Sequence, residues 1–336
     1  MHKILNPTVA GPLLAFIVVV AVAALTTDRF FDTGNLSNIV LQVSVVAIVA
    51  IGSTMVILTG GIDLSPGSAI ALLSMSLALL MKTHELPLAA AIPLVLLFGA
   101  LLGTLNGVIT ANLRIPAFIA TLAAFSAFRG VAFIPTNGAP IFSLSADLSQ
   151  VFYGSVFGIP LPFYYVVFAY SAAFVFLNLS PMGRKIYAIG GNPTAALLSG
   201  INVPRIQCLV FILAGVTAAA GAVLFAARLN SGSPNYGTGM ELQAIAASVI
   251  GGASLAGGRG HILGTLLGAL IITVVQNVMN LNGIGSSLQA VIIGAIILVA
   301  VGIDRWRAEL GQLVALMVPK TLRRRATTPG ATIQTH

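Results

Sequence analysis

Seven polar or charged residues interrupt otherwise apolar stretches of this sequence, and their chemistry suits contact with a solute. They are Asp63, Asn106, Arg129, Glu241, Gln243, Gln276 and Asn277. Polar side chains inside membrane segments are costly and often functional. Amide and guanidinium groups can hydrogen-bond the hydroxyls of a solute, but they can equally bond a carbonyl of a neighbouring helix. For Asp63 the local alternative is a capping role beside a helix that begins at Ser65 and Pro66, and Arg129 can extend its guanidinium to the membrane interface.

Patterns typical of catalysis are absent from the sequence. The four histidines form no H-E-x-x-H pattern and no metal-spaced pair. No G-x-x-x-x-G-K-[ST] phosphate loop is present either, so we predict that the chain is not an enzyme and binds no ATP, Mg²⁺ or other cofactor itself. There is also no intramembrane row of acids or histidines of the kind that proton-coupled carriers use. Energy for transport is therefore expected from a partner.

The composition predicts that these residues lie in a membrane protein. Hydrophobic residues make up 57% of the chain and charged residues 7%, and the mean hydropathy is +1.02. Soluble domains carry roughly 25% charged residues, so this chain could not cover a water-facing surface. Continuously apolar stretches of about 20 residues exclude a β-barrel and predict an all-α bundle of about ten transmembrane helices. These stretches are 8–26, 36–59, 64–81, 88–111, 115–135, 163–180, 206–228, 242–258, 261–281 and 286–303.

The distribution of Lys and Arg predicts how the bundle is oriented. With the N- and C-termini in the cytoplasm, 12 of the 16 basic residues fall on the inner side, three fall outside and Arg129 lies within a span. This asymmetry follows the positive-inside rule and predicts a multi-pass protein of the bacterial inner membrane. Basic residues beside an anionic leaflet also account for the net charge of +8, so nucleic acid is not an expected partner. A cleaved signal peptide ending near Ala23 is the alternative for the first stretch, but it would leave an odd number of spans.

The sequence divides into one membrane domain and a tail. Residues 1–310 are predicted to form a single transmembrane permease domain, and residues 311–336 a basic and polar cytoplasmic tail that is partly disordered. The similar segments LLGTLNGVI (101–109) and LLGALIITV (266–274) fall in the fourth and ninth spans and suggest a five-plus-five repeat. Outside the membrane, the long connection 136–162 is expected to form either an amphipathic element that contacts a partner or a lid over the bundle.

The longest cytoplasmic connection, residues 181–205, contains the signals of a short helix. Asn192 suits an N-cap, Pro193 the first helical position and Gly200 a C-terminal stop. The residues between them predict a short capped helix held between two spans, where a partner could dock. A plain surface loop is the alternative interpretation.

Three ordered motifs give the sequence a family resemblance. GGIDLSPGS (60–68), YAIGGNPTAALLSGI (187–201) and ELQAIAASVIGGASLAGGRG (241–260) resemble the permease subunits of ribose/xylose/galactose-type sugar ABC importers. The resemblance implies a dimer of two permeases, identical or paralogous, two cytoplasmic ATPases that bind ATP and Mg²⁺, and a periplasmic sugar-binding protein. It also implies that the ATPase-coupling helix lies in 187–201, which assigns coupling to Gly191, Asn192, Pro193, Ala195, Ala196 and Gly200.

From these observations we expect a permease subunit that moves a monosaccharide or related polyol with ATP hydrolysed by a partner. In the family an acid often follows Glu-Leu, whereas this sequence has Gln243 at that position. This difference bears on which substrate the protein carries and not on the class of transporter. An ion-coupled secondary transporter of a small polar solute is the alternative, although intramembrane carboxylates are sparse.

Overall fold

The computed structural model describes the backbone of residues 7–317 and the side chains of residues 9–302. Within that range the chain forms an almost entirely helical bundle. The helices are α1 (Pro7–Thr26), α2 (Thr33–Leu58), α3 (Pro66–Lys82), α4 (Leu88–Ala111), α5 (Ala117–Phe133), α6 (Ala146–Tyr153), α7 (Leu161–Phe174), α8 (Pro181–Gly191), α9 (Pro193–Leu198), α10 (Val203–Leu229), α11 (Met240–Ile250), α12 (Ile262–Leu281) and α13 (Ser286–Met317). Two short antiparallel pairs accompany them, β1 (Ile141–Phe142) with β4 (Ser231–Gly232) and β2 (Ser155–Val156) with β3 (Ile159–Pro160).

The apolar helices confirm an all-α membrane protein. Seven of the described helices are long and apolar enough to cross a membrane, namely α1, α2, α4, α5 with its 3₁₀ extension, α7 with its π-helical extension, α10 and α12. Three shorter apolar helices, α3, α11 and residues 286–302 of α13, occupy the other predicted stretches. The count of ten crossings, the cytoplasmic termini and the five-plus-five repeat stay predictions. The predicted tail, 311–336, lies outside the described residues except for helical backbone as far as Met317.

Helix α2 forms the centre of the bundle. Its most apolar window is 83% buried, whereas that of α1 is only 11% buried. Helices α7, α10, α11 and α12 all pack around α2. Apolar residues are distributed over all sides of α2, so the helix becomes buried when other helices can surround it. The residues that follow α2 are therefore held at the middle of the molecule.

Glycines bring α4 and α10 into close contact. Gly99, Gly103 and Gly107 are spaced four residues apart along one side of α4. A Cβ added at Gly103 would collide with the carbonyl oxygen of Phe211, and one added at Gly215 would collide with the carbonyl oxygen of Gly99. Small residues at this spacing let helix backbones approach each other in membranes, where van der Waals packing drives association.

The eighth predicted span, 242–258, is wrong in its extent. Helix α11 ends at Ile250, and residues 251–261 are non-helical. Gly252 has φ = +91°, a left-handed conformation that ends a helix and that glycine adopts without strain. The apolar character of Ala253 and Leu255 concealed this break in the sequence. Helix α11 therefore has 11 residues, too few to cross a bilayer alone.

Candidate functional site

The segment between α10 and α11 turns back into the bundle alongside α3. Gly232 packs against Ser74, and the Ser74 hydroxyl donates a 3.4 Å hydrogen bond to the carbonyl of Ser233. Further along, Gly237 lies against the backbone of Gly67 at the start of α3. The segment 231–237 thus runs antiparallel to α3, from its last turns to its first, before α11 begins.

Arg129 holds this segment in place. Its Nη1 donates hydrogen bonds of 2.7 Å to the carbonyl of Pro234 and 2.8 Å to the carbonyl of Tyr236. Bonds from a charged donor are stronger than neutral ones. Arg129 is half-buried and bonds neighbouring carbonyls, as one interpretation of the sequence expected, and so fixes irregular backbone.

The first turns of α3 and α11 meet inside the molecule. A Cβ added at Gly67 would collide with Oε2 of Glu241 and with the carbonyl of Gly237. The N-terminal end of a helix carries partial positive charge, so two converging ends favour nearby carboxylates. Asp63, just before α3, and Glu241, in the first turn of α11, supply one each, and both side chains are buried.

Asp63 organises the connection from α2 to α3. Its Oδ1 accepts hydrogen bonds of 2.8 Å from the amide of Ser65 and 2.7 Å from the Ser65 hydroxyl. Ser65 makes no side-chain cap to α3, contrary to the sequence interpretation, because its hydroxyl is engaged by Asp63 and by Nδ2 of Asn106 at 2.9 Å. Within the described part of the chain, Asn106 Oδ1 and Glu241 Oε2 are buried polar atoms without a hydrogen-bond partner. Two unused acceptors therefore lie inside the bundle, one in this network and one on Glu241.

Asn277 lies apart from this network. It exchanges hydrogen bonds of 2.7 and 3.1 Å with the side chain of Asn35, so that α12 is joined to α2. A second polar contact joins α2 to α12, and the sequence did not predict it. Thr54 bonds both Ser248 and Thr265 at 2.8 Å, which links α2, α11 and α12 through three buried hydroxyls. Hydroxyls of this kind carry no distinctive spacing, so only the packed structure identifies them.

Gln243 and Gln276 come together at a polar cavity of about 420 Å³. The cavity lies between α2, α10, α11, α12 and the segment 235–238. Its lining residues are Gln42, Val45, Val46, Phe225, Arg228, Asn235, Tyr236, Gly237, Thr238, Met240, Gln243, Gln276 and Asn280. Of the seven predicted pathway residues, the structure thus brings two to this cavity and three (Asp63, Asn106 and Glu241) to the buried helix ends, with Arg129 holding the segment between them.

The connection 181–205, which the sequence predicts to be cytoplasmic, contains the predicted capped helix, α9. Oδ1 of Asn192 accepts a 2.9 Å hydrogen bond from the amide of Ala195, and Pro193 occupies the first turn. At the other end Gly200 has φ = +81°, and the amide of Ile201 bonds the carbonyl of Ala196 at 3.1 Å. A second helix, α8, precedes α9 and was not predicted.

The exposed side of α9 differs from the one expected. Leu197 is 60% exposed and Leu198 84% exposed, whereas Ala196 is only 4% exposed. The Ala196 side chain belongs to the same core cluster as Ile189 and Ile206 of this chain. The assignment of Ala196 as a contact for a partner is therefore wrong in geometry, because on so short a helix its side chain points inward while the leucines point outward.

Contacts between glycines fix α8 to the end of α2 and to the segment that follows α11. We define the glycine junction as Leu58, Gly60, Gly190, Gly257 and Gly258. The amide of Gly258 donates a 3.0 Å hydrogen bond to the carbonyl of Leu58. A Cβ at Gly190 would collide with that same carbonyl and with the Gly258 amide, and Gly60 packs near the 251–260 segment. The three sequence motifs thus meet at one point.

Tyr187 adds a polar link beside the glycine junction. Its hydroxyl donates a 3.1 Å hydrogen bond to the carbonyl of Gly260. Burial raises the pKa of Tyr187, so the hydroxyl stays protonated and remains a donor at neutral pH. Helix α8 is therefore joined to the segment after α11 both by backbone contact and by this side chain.

Comparison with known proteins places this architecture in a family. Residues 35–301 match the family described as the branched-chain amino acid transport system / permease component. The ribose import permease of Haemophilus influenzae is 44% identical over 87% of this chain and 92% of its own length. That of Bacillus subtilis is 41% identical over 88% and 92%, and the D-allose transport system permease of Escherichia coli is 36% identical over 86% and 89%.

No solved structure matches the chain. The family match spans all the elements of the site, from α2 to α13, and the relatives align over nearly their whole length. The chain therefore belongs to this family of transport-system permease components, as a multi-pass inner-membrane protein similar to the permeases of sugar ABC importers.

Proposed function

We propose that this chain is the membrane-spanning subunit of an ATP-binding cassette importer that moves a monosaccharide or related polyol into the cell. The names of its relatives, which import ribose and D-allose, support a sugar as the substrate. The unused polar acceptors at the buried helix ends and the polar cavity beside them support a route for a neutral polar solute. The route comprises Gln243, Gln276, Asp63, Asn106 and Glu241, and Arg129 and Asn277 position the elements around it.

The proposal includes three kinds of partner. A second permease copy or paralogue completes the membrane unit, and a periplasmic binding protein delivers the sugar. A cytoplasmic ATPase binds ATP and Mg²⁺, since this chain has no phosphate loop. On the outer side, the amphipathic helix α6 is a candidate contact for the binding protein, with a lid over the bundle as its other role.

The observation that carries the proposal is the position of α9. Its capped ends fix its length, its leucines face outward, and α8 attaches it to the glycine junction. From this junction α2 continues through Asp63 to α3, while the 251–260 segment leads back to α11. A displacement of α9 by an ATPase would therefore reach both interrupted helices, whose first turns meet at Gly67 and Glu241.

Reconstitution tests the proposed function. The chain in proteoliposomes, with a cognate ATPase and binding protein, should take up ribose only when MgATP is present on the ATPase side. The same liposomes without the ATPase are the control and should show no uptake. Ion-gradient-driven uptake by this chain alone would rule the importer out and favour an ion-coupled carrier.

A further inference from the structure

Three glutamine side chains line the polar cavity. Gln42 comes from α2, Gln243 from α11 and Gln276 from α12, and each is half-buried. Within the described residues none of the three side-chain amides makes a hydrogen bond. Each amide is partly exposed to the cavity, so its donor and acceptor atoms are free to bond a molecule inside it. Three such amides that line one cavity can together bond a polar occupant.

The remaining walls add an aromatic surface and a polar rim. The rings of Phe225 and Tyr236 lie 5.0 Å apart at an interplanar angle of 31°, and the Tyr236 hydroxyl is bonded to Ser231. Aromatic rings packed in this way offer an apolar face to the C–H groups of a solute. Four polar residues line the exposed entrance: Arg228, Asn235, Thr238 and Asn280.

The chemistry of the lining discriminates between classes of solute. An amide both donates and accepts hydrogen bonds, as a hydroxyl does, so amides suit a neutral polyhydroxylated molecule. An amino acid zwitterion would need a negative partner for its ammonium group, and none of the described residues that line the cavity is acidic. The only charged one, Arg228, lies at the exposed entrance. The volume of about 420 Å³ falls within the usual range of small-molecule sites.

We propose that this cavity is a holding site for one neutral polyhydroxylated solute of monosaccharide size, bound by the amides of Gln42, Gln243 and Gln276. The proposal rests on the proposed transport function and adds the place where the permease itself selects its solute. Gly237 and Met240, at the cavity wall, precede Glu241 at the buried helix ends. A movement of α11 would therefore displace Gln243 and open the route beyond the site at the same time.

Uptake of ribose, allose and leucine by the reconstituted complex tests the site. Gln243→Ala and Gln276→Ala should each lower the maximal rate of sugar uptake about 10-fold, since each removes hydrogen bonds to the solute. They should also change the ratio of ribose to allose uptake, which a loss of folded protein would not do. Gln207→Ala is the matched control, because Gln207 is also a half-buried glutamine but lies at the end of α10 that is away from the cavity. This variant should leave both the rate and the ratio of uptake unchanged.

A blocking variant covers the case in which the alanine variants fail to assemble. Thr238 is exposed at the entrance, so Thr238→Trp should fill the cavity, abolish sugar uptake and leave ATPase association intact. Unchanged uptake by Thr238→Trp, or equal effects of the Gln243 and Gln207 substitutions, would overturn the site. If the unaltered complex transports leucine and neither sugar, the proposed function itself fails, whereas sugar uptake that is insensitive to every cavity variant refutes the site alone.

Discussion

At the scale of single residues, the space around Gly67 limits the size of the side chain that fits between the first turns of α3 and α11. Its hydrogen atoms face the carboxylate of Glu241 and the carbonyl of Gly237 at distances that admit no Cβ. Any larger residue would push α11 away from α3, and with it the carboxylate that offsets the partial positive charge of both helix ends. The close contact between α3 and α11 therefore depends on this glycine.

Gly67→Ala should lower both stability and transport. Overpacking a tight contact costs about 1–3 kcal/mol, and this exceeds the gain of up to about 1 kcal/mol that alanine brings to a helix. Gly130→Ala on α5 is the matched control, because a Cβ there meets nothing within 4 Å, so this variant should be neutral or slightly more stable. Thermal unfolding of the purified proteins and sugar uptake measure the two effects, and equal melting temperatures for both variants would contradict the packing argument.

The sequence could identify individual polar residues but not their partners. Residue type and the surrounding apolar stretch were enough to select Arg129 and Asn277 as unusual. Whether a side chain bonds a carbonyl, another amide or a solute depends on residues more than 100 positions away, as in the pairs Arg129–Pro234 and Asn35–Asn277. Ser65 shows the same limitation, since its hydroxyl could have capped α3 but is bonded by Asp63 and Asn106.

At the scale of helices, local signals predicted ends well where the chain carries a specific residue. Asn192, Pro193 and Gly200 define the limits of α9 in the sequence, and the observed caps follow them. Hydropathy alone was less informative, because an apolar run in a lipid-facing helix and one in a packed loop look alike. The 251–261 segment is such a loop, and its conformation depends on Gly252 and on the glycine junction.

The exposed leucines of α9 lead to a second prediction. If Leu198 docks on the ATPase, then Leu198→Asp should weaken association by roughly 2–3 kcal/mol, the worth of a fully buried leucine. Uptake should then be lost while the permease reaches the membrane at normal levels. Co-purification of the ATPase measures the association directly.

The control for this substitution is Leu113→Asp. Leu113 is 64% exposed on the connection after α4, a region predicted to be cytoplasmic but outside the coupling segment, so the ATPase should stay bound. By contrast, Ala196→Glu should lower the amount of folded permease, because its side chain is packed against this chain itself. Normal ATPase binding by Leu198→Asp would remove α9 as the docking helix.

At the scale of the whole molecule, the contacts of the glycine junction determine which parts of the chain lie at the same side of the membrane. The glycine junction joins the coupling segment to the C-terminal end of α2 and to the 251–260 segment, so these three parts of the chain must lie at the same side of the membrane. The charge distribution assigns that side to the cytoplasm, where 12 of 16 basic residues are expected. Helix α6 and the pair β2–β3 then lie on the outer side.

Labelling of single cysteines tests this orientation directly. In a chain that carries Cys208→Ser, Phe157→Cys and Leu198→Cys introduce thiols at positions that are 96% and 84% exposed. A membrane-impermeant maleimide added to cells with a permeabilised outer membrane should label Phe157→Cys and leave Leu198→Cys unlabelled. Disrupting the inner membrane should expose both, which makes each variant the control for the other. Labelling of Leu198→Cys with the inner membrane intact would place α9 outside, where no ATPase could reach it, and the glycine junction would lose its role in ATP coupling.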